Sequence, residues 1–286
     1  MKKVTKTIPA KINFTLDVLG LEGKYHQIDS LVASVDVCDV VTVKKRKDKK
    51  ITLTMKGLPV DCPIEENNAF KTASYFMQKF STDGVDIIVD KKIPVGAGLG
   101  GSSADIAGVL LAMKELYGVV GDLQPLASKL GSDSVYMLKG GYAVMSGRGE
   151  KVEKKYSDKC FYLLAVTDEK KVSAKECYKK FDQSKKHPLP TTKQATKALE
   201  LEDVELFYKL IKNDLEGTAT KLVPETAFNL SVLKHTDAEA VFVAGSGPTA
   251  LAIYKSKTAR NLAYKKVYPL FDKKLLKLQT IPDKKK

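Results

Sequence analysis

One stretch constrains this chain more than any other: "VDIIVDKKIPVGAGLGGSSADIAGVLLAMKELYG", residues 85–118. A strand-like run ends at "IP". Gly96, Gly98, Gly100 and Gly101 follow within six residues, then two serines, then an apolar pattern that predicts a helix from about Ser102 to Tyr117. A glycine turn between a strand and a helix N-terminus makes an anion site. Its N–H groups can point inward without Cβ interference, and the helix dipole adds positive potential. Ser102 and Ser103 can cap the helix or donate to phosphate oxygens. Asp105 is expected in the first turn, where a carboxylate is favourable in any case. The plainer alternative is a tight turn with a capped helix.

Two phosphate-loop patterns can be tested directly. GxxxxGK[ST] has its glycines at Gly96 and Gly101, but Ser102 stands where lysine is required, so the P-loop reading fails. GxGxxG fits literally at Gly96, Gly98 and Gly101. It calls for a second strand with an acidic end about 20 residues on. That distance falls on "LYGVVGDL", which carries no convincing strand.

The rest of the chain reads as α+β, divided near residue 155, with 1–155 and 156–286 as its two domains. Strands are expected at 4–16, 31–43, 51–55 and 85–94. A helix over 67–80 has Phe70, Ala73, Phe76, Met77 and Phe80 on one side. "YAVMSGRGEKVEKK" predicts a hairpin. In the second block "KCFYLLAVTD" is a buried strand, "SAKECYKKF" and "ELFYKLIKNDLEGTATKL" are helical, "AEAVFVAGSGPTALAIYKS" holds two strands around a glycine turn, and "TARNLAYKKVYPLF" is a last helix. The stretch 183–195 is expected to be a mobile loop.

Net charge is +14 over 286 residues, mostly from lysine. The densest run, "KKRKDKK" at 44–50, is flanked by strand-like segments and predicts a hairpin tip. No RNA-binding signature or zinc-finger spacing accompanies it, so no nucleic-acid partner is expected; the same field favours an anionic small substrate. No apolar run reaches about 18 residues, so no membrane span is expected. The N-terminal "MKKVTKTIPAKINFTL" has no long apolar core after its lysines and does not read as a signal peptide. Cys38, Cys62, Cys160 and Cys177 form no CxxC pair, which fits a reducing cytoplasm and argues against a structural zinc site.

"PVGAGLGGSSAD" resembles the central motif of the GHMP kinases. "PAKINFTLDVLG" at 9–20 and "VAGSGPTALAIY" at 243–254 resemble the family's N-terminal and C-terminal motifs, in the family's order. The similarity is strongest to the branch acting on 4-diphosphocytidyl-2-C-methyl-D-erythritol, through "KYHQIDSLVASVDVCDVVTV", "EENNAFKTA", "LGSDS", "GRGE", "NDLE" and "GSGPT", and weakest over about 155–205. The resemblance implies the GHMP kinase fold, with an N-terminal domain like ribosomal protein S5 domain 2 and a ferredoxin-like C-terminal domain. It implies γ-phosphoryl transfer from ATP, with Mg²⁺, to an alcohol of a small cytidine-diphosphate-linked molecule, in a monomer or homodimer.

Carried over residue by residue, the resemblance makes Asp133 the catalytic aspartate, able to accept or orient the hydroxyl. Lys11 is its paired lysine, offsetting charge on the transferred group, and Asn13 supports the substrate side. Tyr25 and His26 match contacts to the cytidine base, with an aromatic near 175–190, Phe181 foremost and Tyr178 and His187 nearby, closing over it. Lys92, Pro94, Asn68 and the loop Gly96, Ala97, Gly98, Leu99, Gly100, Gly101, Ser102 and Ser103 fall to the nucleotide. Gly245, Ser246, Gly247 and Thr249 fall to the substrate diphosphate. No metal-ligating cluster is visible. Three departures stand out: the serines and aspartate of "GLGGSSADIA" are shifted by one from the family's usual pattern, "DSVYML" lacks the proline that usually follows the aspartate, and "VSAK" at 172–175 replaces the usual "VSTA". A GHMP kinase for homoserine or a mevalonate derivative, and a catalytically degenerate nucleotide binder, remain as alternatives; "YH" and "NDLE" argue against the first.

Overall fold

The strand that leads into the glycine loop is set by alternation. Val85, Ile87, Val89 and Lys91 are buried, and the residues between them are not, as in a strand with one covered face. The computed structural model describes residues 2–168, 170, 172–184 and 189–283, with Lys273 by its backbone alone. His187 and the end of the lysine tail lie outside the described residues.

In chain order the strands are β1 (Lys3–Asn13), β2 (Thr15–Glu22), β3 (Tyr25–Lys45), β4 (Ile51–Gly57), β5 (Val85–Lys91), β6 (Tyr142–Gly147), β7 (Lys151–Lys155), β8 (Tyr162–Val166), β9 (Lys212–Asn213), β10 (Ala240–Val243), β11 (Ala250–Tyr254) and β12 (Leu275–Gln279). The helices are α1 (Asn68–Phe80), α2 (Gly101–Tyr117), α3 (Gln124–Leu130), α4 (Ser134–Met137), α5 (Ala174–Phe181), α6 (Thr192–Glu200), α7 (Val204–Leu210), α8 (Glu216–Leu222), α9 (Pro224–Lys234) and α10 (Lys257–Phe271). The chain forms two compact units interleaved along the sequence, one of residues 1–10, 37–95 and 100–140, the other of 11–36, 96–99 and 141–286.

In the first unit the C-terminal part of β3 pairs antiparallel with β5, from Val40 opposite Asp90 to Lys45 opposite Val85. β4 pairs with β5 in parallel, which requires the crossover that α1 supplies. The run 44–50 is therefore not a hairpin tip: β5 lies between β3 and β4, and the turn spans it. Arg46 N–H donates to Gly84 O, Gly84 N–H to Asp48 O and Val85 N–H to Lys50 O. The Arg46 guanidinium is tied to Asp48 and Asp86. α2 is buried along most of its length, and small residues allow it: a Cβ on Gly108 would come within 2.5 Å of Val41 Cγ2.

In the second unit β2, the N-terminal part of β3, β6 and β7 form an antiparallel run. The hairpin of β6 and β7 is as expected. β8, β10, β11 and β12 form a second sheet in the order β10-β11-β8-β12, every pair antiparallel. With α10 between β11 and β12, and helices between β8 and β10, this is the ferredoxin-like arrangement. Leu164, Leu233, Val243, Ala252, Tyr254 and Phe271 share its core. Phe14, in the break between β1 and β2, packs its ring on Phe161 at 5.4 Å and Phe207 at 5.0 Å.

The expected single helix from Glu205 to Leu222 is two helices broken by β9, because Lys212 and Asn213 pair with β2 in parallel. α6 occupies the end of the expected loop 183–195. Its start is fixed by buried Asp17, whose carboxylate accepts the Thr191 N–H at 3.0 Å and the Thr192 N–H at 2.8 Å. Phe181 does not stand over a ligand surface. It is buried with Leu16, Val18, Cys177 and Leu215.

Candidate active site

The glycine loop is built by backbone conformations that side chains disfavour. Gly96, Gly98 and Gly100 have φ of 71°, 76° and 77°, in the left-handed region. A Cβ on Gly98 would lie 2.2 Å from Ala244 O, so only glycine lets the loop pass the turn after β10. Ala97 and Leu99 are buried, Pro94 is half-buried, and Leu99 O accepts the Lys11 N–H at 3.0 Å. Gly100 is the N-cap of α2 and makes no side-chain cap bond, leaving the helix's first N–H groups available to an anion. This cradle fits a nucleotide phosphate.

In the first unit the two competing serines diverge. Ser102 is exposed, and the Asn68 side-chain amide donates to its hydroxyl. Ser103 turns towards the segment that carries Asp133: a Cβ on Gly131 would be 3.3 Å from Ser103 Oγ and 2.6 Å from Ser134 Oγ. Asp133 is half-buried at the N-cap of α4, and its carboxylate does not cap that helix. Lys92 is exposed, with Nζ 3.9 Å from Asp90.

The buried lysine is its neighbour, which the sequence reading passed over. Lys91 is 3% exposed, and its Nζ donates to Asp39 Oδ2 at 2.5 Å, Asp105 Oδ2 at 2.8 Å and Gly101 O at 3.0 Å. Asp39 Oδ1 accepts the Lys92 and Ile93 N–H groups at 2.7 and 2.8 Å. Asp105 stands beyond the first turn of α2 and serves this ammonium rather than the helix end. Two carboxyls share one lysine, and Asp105 Oδ1 is buried without a partner. Burial pushes Asp105 up to about 7, against the attraction of Lys91. A carboxyl raised by folding contributes stability that is fully present below about pH 4 and lost as pH rises through its folded value. The thermal midpoint is therefore expected to fall more steeply from about pH 5 to about pH 8 in the unaltered protein than in Asp105→Asn. Parallel profiles in a pH series of thermal melts would refute this.

In the second unit Lys11 is 4% exposed and donates to Asn13 Oδ1 at 2.6 Å. Asn13 Nδ2 donates to Ser30 Oγ at 2.7 Å, and Ser30 to Thr15 O at 2.5 Å, a chain that fixes the ammonium's direction. The turn Gly245–Thr249 stands beside it: a Cβ on Gly245 would be 3.4 Å from Lys11 Nζ. Gly245 and Gly247 have φ of 52° and 83°. Ser246 lies between them, and Thr249 is buried with its Oγ1 unpartnered. Asn213, from "NDLE", holds the turn by donating to Val243 O at 2.8 Å and Gly245 O at 2.7 Å. The structure thus brings Lys11, Asn13, Gly98 and Gly245 together.

Tyr25 and His26 sit at the start of β3. The Arg148 guanidinium lies 4.5 Å from the Tyr25 ring centre, and Tyr25 is 56% exposed. The His26 ring stacks on Tyr178 at 4.6 Å and is bonded through Nε2 to Asp182 Oδ1 at 2.6 Å. Tyr178, rather than Phe181, is the aromatic from α5 at this position. Among the described residues no group of three His, Cys, Asp or Glu side chains is arranged to hold a metal ion, and no helix is long and apolar enough to cross a membrane.

A glycine cradle leading into a buried helix, in a chain that also forms a ferredoxin-like sheet with its own glycine turn, defines a small-molecule kinase of the GHMP type. The family model for the GHMP kinases N terminal domain matches residues 67–147, and that for GHMP kinases C terminal matches 195–271. A protein of Staphylococcus aureus (strain JH9) named "Putative 4-diphosphocytidyl-2-C-methyl-D-erythritol kinase" is 31% identical over 265 residues, 91% of this chain and 93% of its own. A crystal structure of 4-(cytidine 5'-diphospho)-2C-methyl-D-erythritol kinase superposes with a TM-score of 0.81 at 25% identity, over 97% of this chain and 100% of that one. A homoserine kinase from Cytophaga hutchinsonii shares the fold, with a TM-score of 0.74 at 19% identity over 99% of this chain and 96% of its own. The chain belongs to the GHMP kinase family, whose members use ATP.

Proposed function

We propose that this protein phosphorylates the 2-hydroxyl of 4-diphosphocytidyl-2-C-methyl-D-erythritol, a step of non-mevalonate isoprenoid synthesis, in the cytoplasm. The observation that carries the reading is similarity over 91% of the chain to a relative named for that substrate. The family's two-domain division near residue 155 belongs to the same reading.

When bound, ATP supplies the γ-phosphoryl group, with Mg²⁺ as its charge partner. Asp133 accepts the proton of the attacking hydroxyl. Lys11, directed by Asn13, offsets negative charge gathering on the transferred group. Backbone N–H groups of Gly96–Ser103 hold the nucleotide phosphates, with Ser103 the serine turned towards the Asp133 segment. Tyr25 offers the cytosine a stacking face, and His26, oriented by Asp182, a polar edge. The turn Gly245–Thr249 receives the substrate diphosphate.

The test is a panel of alcohols with purified protein, ATP and Mg²⁺, reading ADP release. Turnover is expected with the cytidyl substrate and not with homoserine or mevalonate. Turnover only with another alcohol would move the assignment within the family. ATP binding with no turnover on any alcohol would favour the degenerate reading.

A further inference from the structure

The glycine loop leaves β5 and enters α2, and both of its stems are tied to one buried cluster. On the incoming stem, Asp39 Oδ1 accepts the backbone N–H groups of Lys92 and Ile93. On the outgoing stem, the Lys91 ammonium donates to the carbonyl of Gly101 and to the carboxylate of Asp105. The Lys91–Asp39 contact at 2.5 Å joins the two halves. The ammonium has three donors, and these three acceptors use all of them. Gly101 permits the approach, since a Cβ there would lie 3.1 Å from Lys91 Nζ. All three ionic side chains are buried: Lys91 is 3%, Asp39 0% and Asp105 6% exposed.

Such a cluster is a costly way to join two backbone segments. Desolvating one ammonium and two carboxyls opposes the gain from pairing them, so the arrangement is weak evidence for stability alone. Nor does it attract an anion. Well above pH 7, where Asp105 is ionised, one lysine against two aspartates leaves the cluster at a charge of −1, which repels phosphate. What it does supply is direction: the stems that bracket residues 94–100 are held by side chains that cannot rotate away.

We propose that Asp39, Lys91 and Asp105 are positioning residues for the nucleotide, a buried clamp that fixes both stems of the glycine loop so that its N–H groups converge on the phosphates. The proposal rests on the reading of that loop as the phosphate cradle. Electrostatics and geometry make opposite predictions. By charge alone, weakening the clamp leaves phosphate affinity unchanged or improves it. By geometry, a loop released at its stems loses the convergence of its donors, and misplacement by about 1 Å costs on the order of a hundredfold where several groups must act together.

The deciding variant is Lys91→Met with Asp105→Asn. Read at about pH 9, where Asp105 is ionised, it removes one ammonium and one carboxylate, so the cluster keeps its charge of −1. Three quantities are read: ATP affinity by calorimetry without any alcohol, amide hydrogen exchange of residues 92–104 in the nucleotide-free protein, and kcat against the KM values for ATP and alcohol. The clamp predicts ATP affinity weaker by about tenfold or more, faster exchange confined to the loop and the first turn of α2, and a raised KM for ATP with that for the alcohol unchanged. ATP affinity within about twofold of the unaltered protein, or exchange accelerated equally in β4, overturns it in favour of a purely structural cluster. Should the double variant be recovered unfolded, Asp105→Ala decides: charge predicts tighter ATP binding, the clamp weaker. Failure of the unaltered protein to bind ATP would overturn the kinase reading together with the clamp; equal binding by protein and variant overturns the clamp alone.

Discussion

Asp133→Asn is expected to lower kcat by about 10²–10⁴-fold, the range that a positioned general base contributes, with the KM for ATP nearly unchanged. The substitution keeps size and shape, and it removes the group that takes the hydroxyl proton. Two features make the effect specific. Asp133 is half-buried, and its carboxylate does not cap α4, so loss of the charge leaves the helix start intact. The Lys11 ammonium donates to Asn13 Oδ1 at 2.6 Å, a bond the substitution does not touch. Steady-state ADP release with a parallel melt separates the two effects. An asparagine variant that turns over as fast as the unaltered protein would remove Asp133 from the chemistry, and the hydroxyl would need another acceptor.

The candidate site was legible wherever its signal is local. Strand, glycines and helix follow one another within 85–118, and each has its own chemistry. The kinase family was legible because three motifs occur in order. The burial of Lys91 rather than Lys92 was legible too, although the resemblance drew attention to Lys92. Alternation along "VDIIVDK" puts Lys91 on the face of Val85, Ile87 and Val89, and the structure buries that face. Lys92 then points outward. Asp39 was beyond reach, because its partners at 91–93 are distant in sequence and meet it only through the pairing of β3 with β5. The same non-local pairing defeated the hairpin expected at 44–50, since no feature of β3 or β4 announces that β5 separates them. Phe181 failed for a local reason. Cys177 and Phe181 are four residues apart, share one face of α5 and are both buried, which leaves Tyr178 on the adjacent face to meet His26. Asp17 and Asn213 carry no signature of their own; each is explained by the backbone groups it binds once α6 and the Gly245 turn are in place.

Gly98→Ala is expected to weaken ATP binding by on the order of a hundredfold. Two costs add. With φ of 76°, an L-residue at this position carries about 1–2 kcal/mol of strain. The new methyl would also start 2.2 Å from Ala244 O, a backbone atom that cannot rotate aside. Ala244 is held in turn, its N–H donating to Thr249 O at 2.9 Å and its carbonyl accepting from Gly247 N–H at 2.8 Å. The loop must therefore retreat, carrying Leu99 and the carbonyl that receives the Lys11 N–H. Gly118→Ala supplies the control. Its φ of 67° imposes similar strain, but a Cβ there meets nothing within 4 Å. It is expected to cost about 1 kcal/mol of stability at the end of α2 and to leave ATP affinity unchanged. Calorimetric titration of both variants with ATP, beside their melts, separates strain from steric displacement. Equal affinities in the two would mean that the approach of Gly98 to the Ala244 turn plays no part in holding the nucleotide.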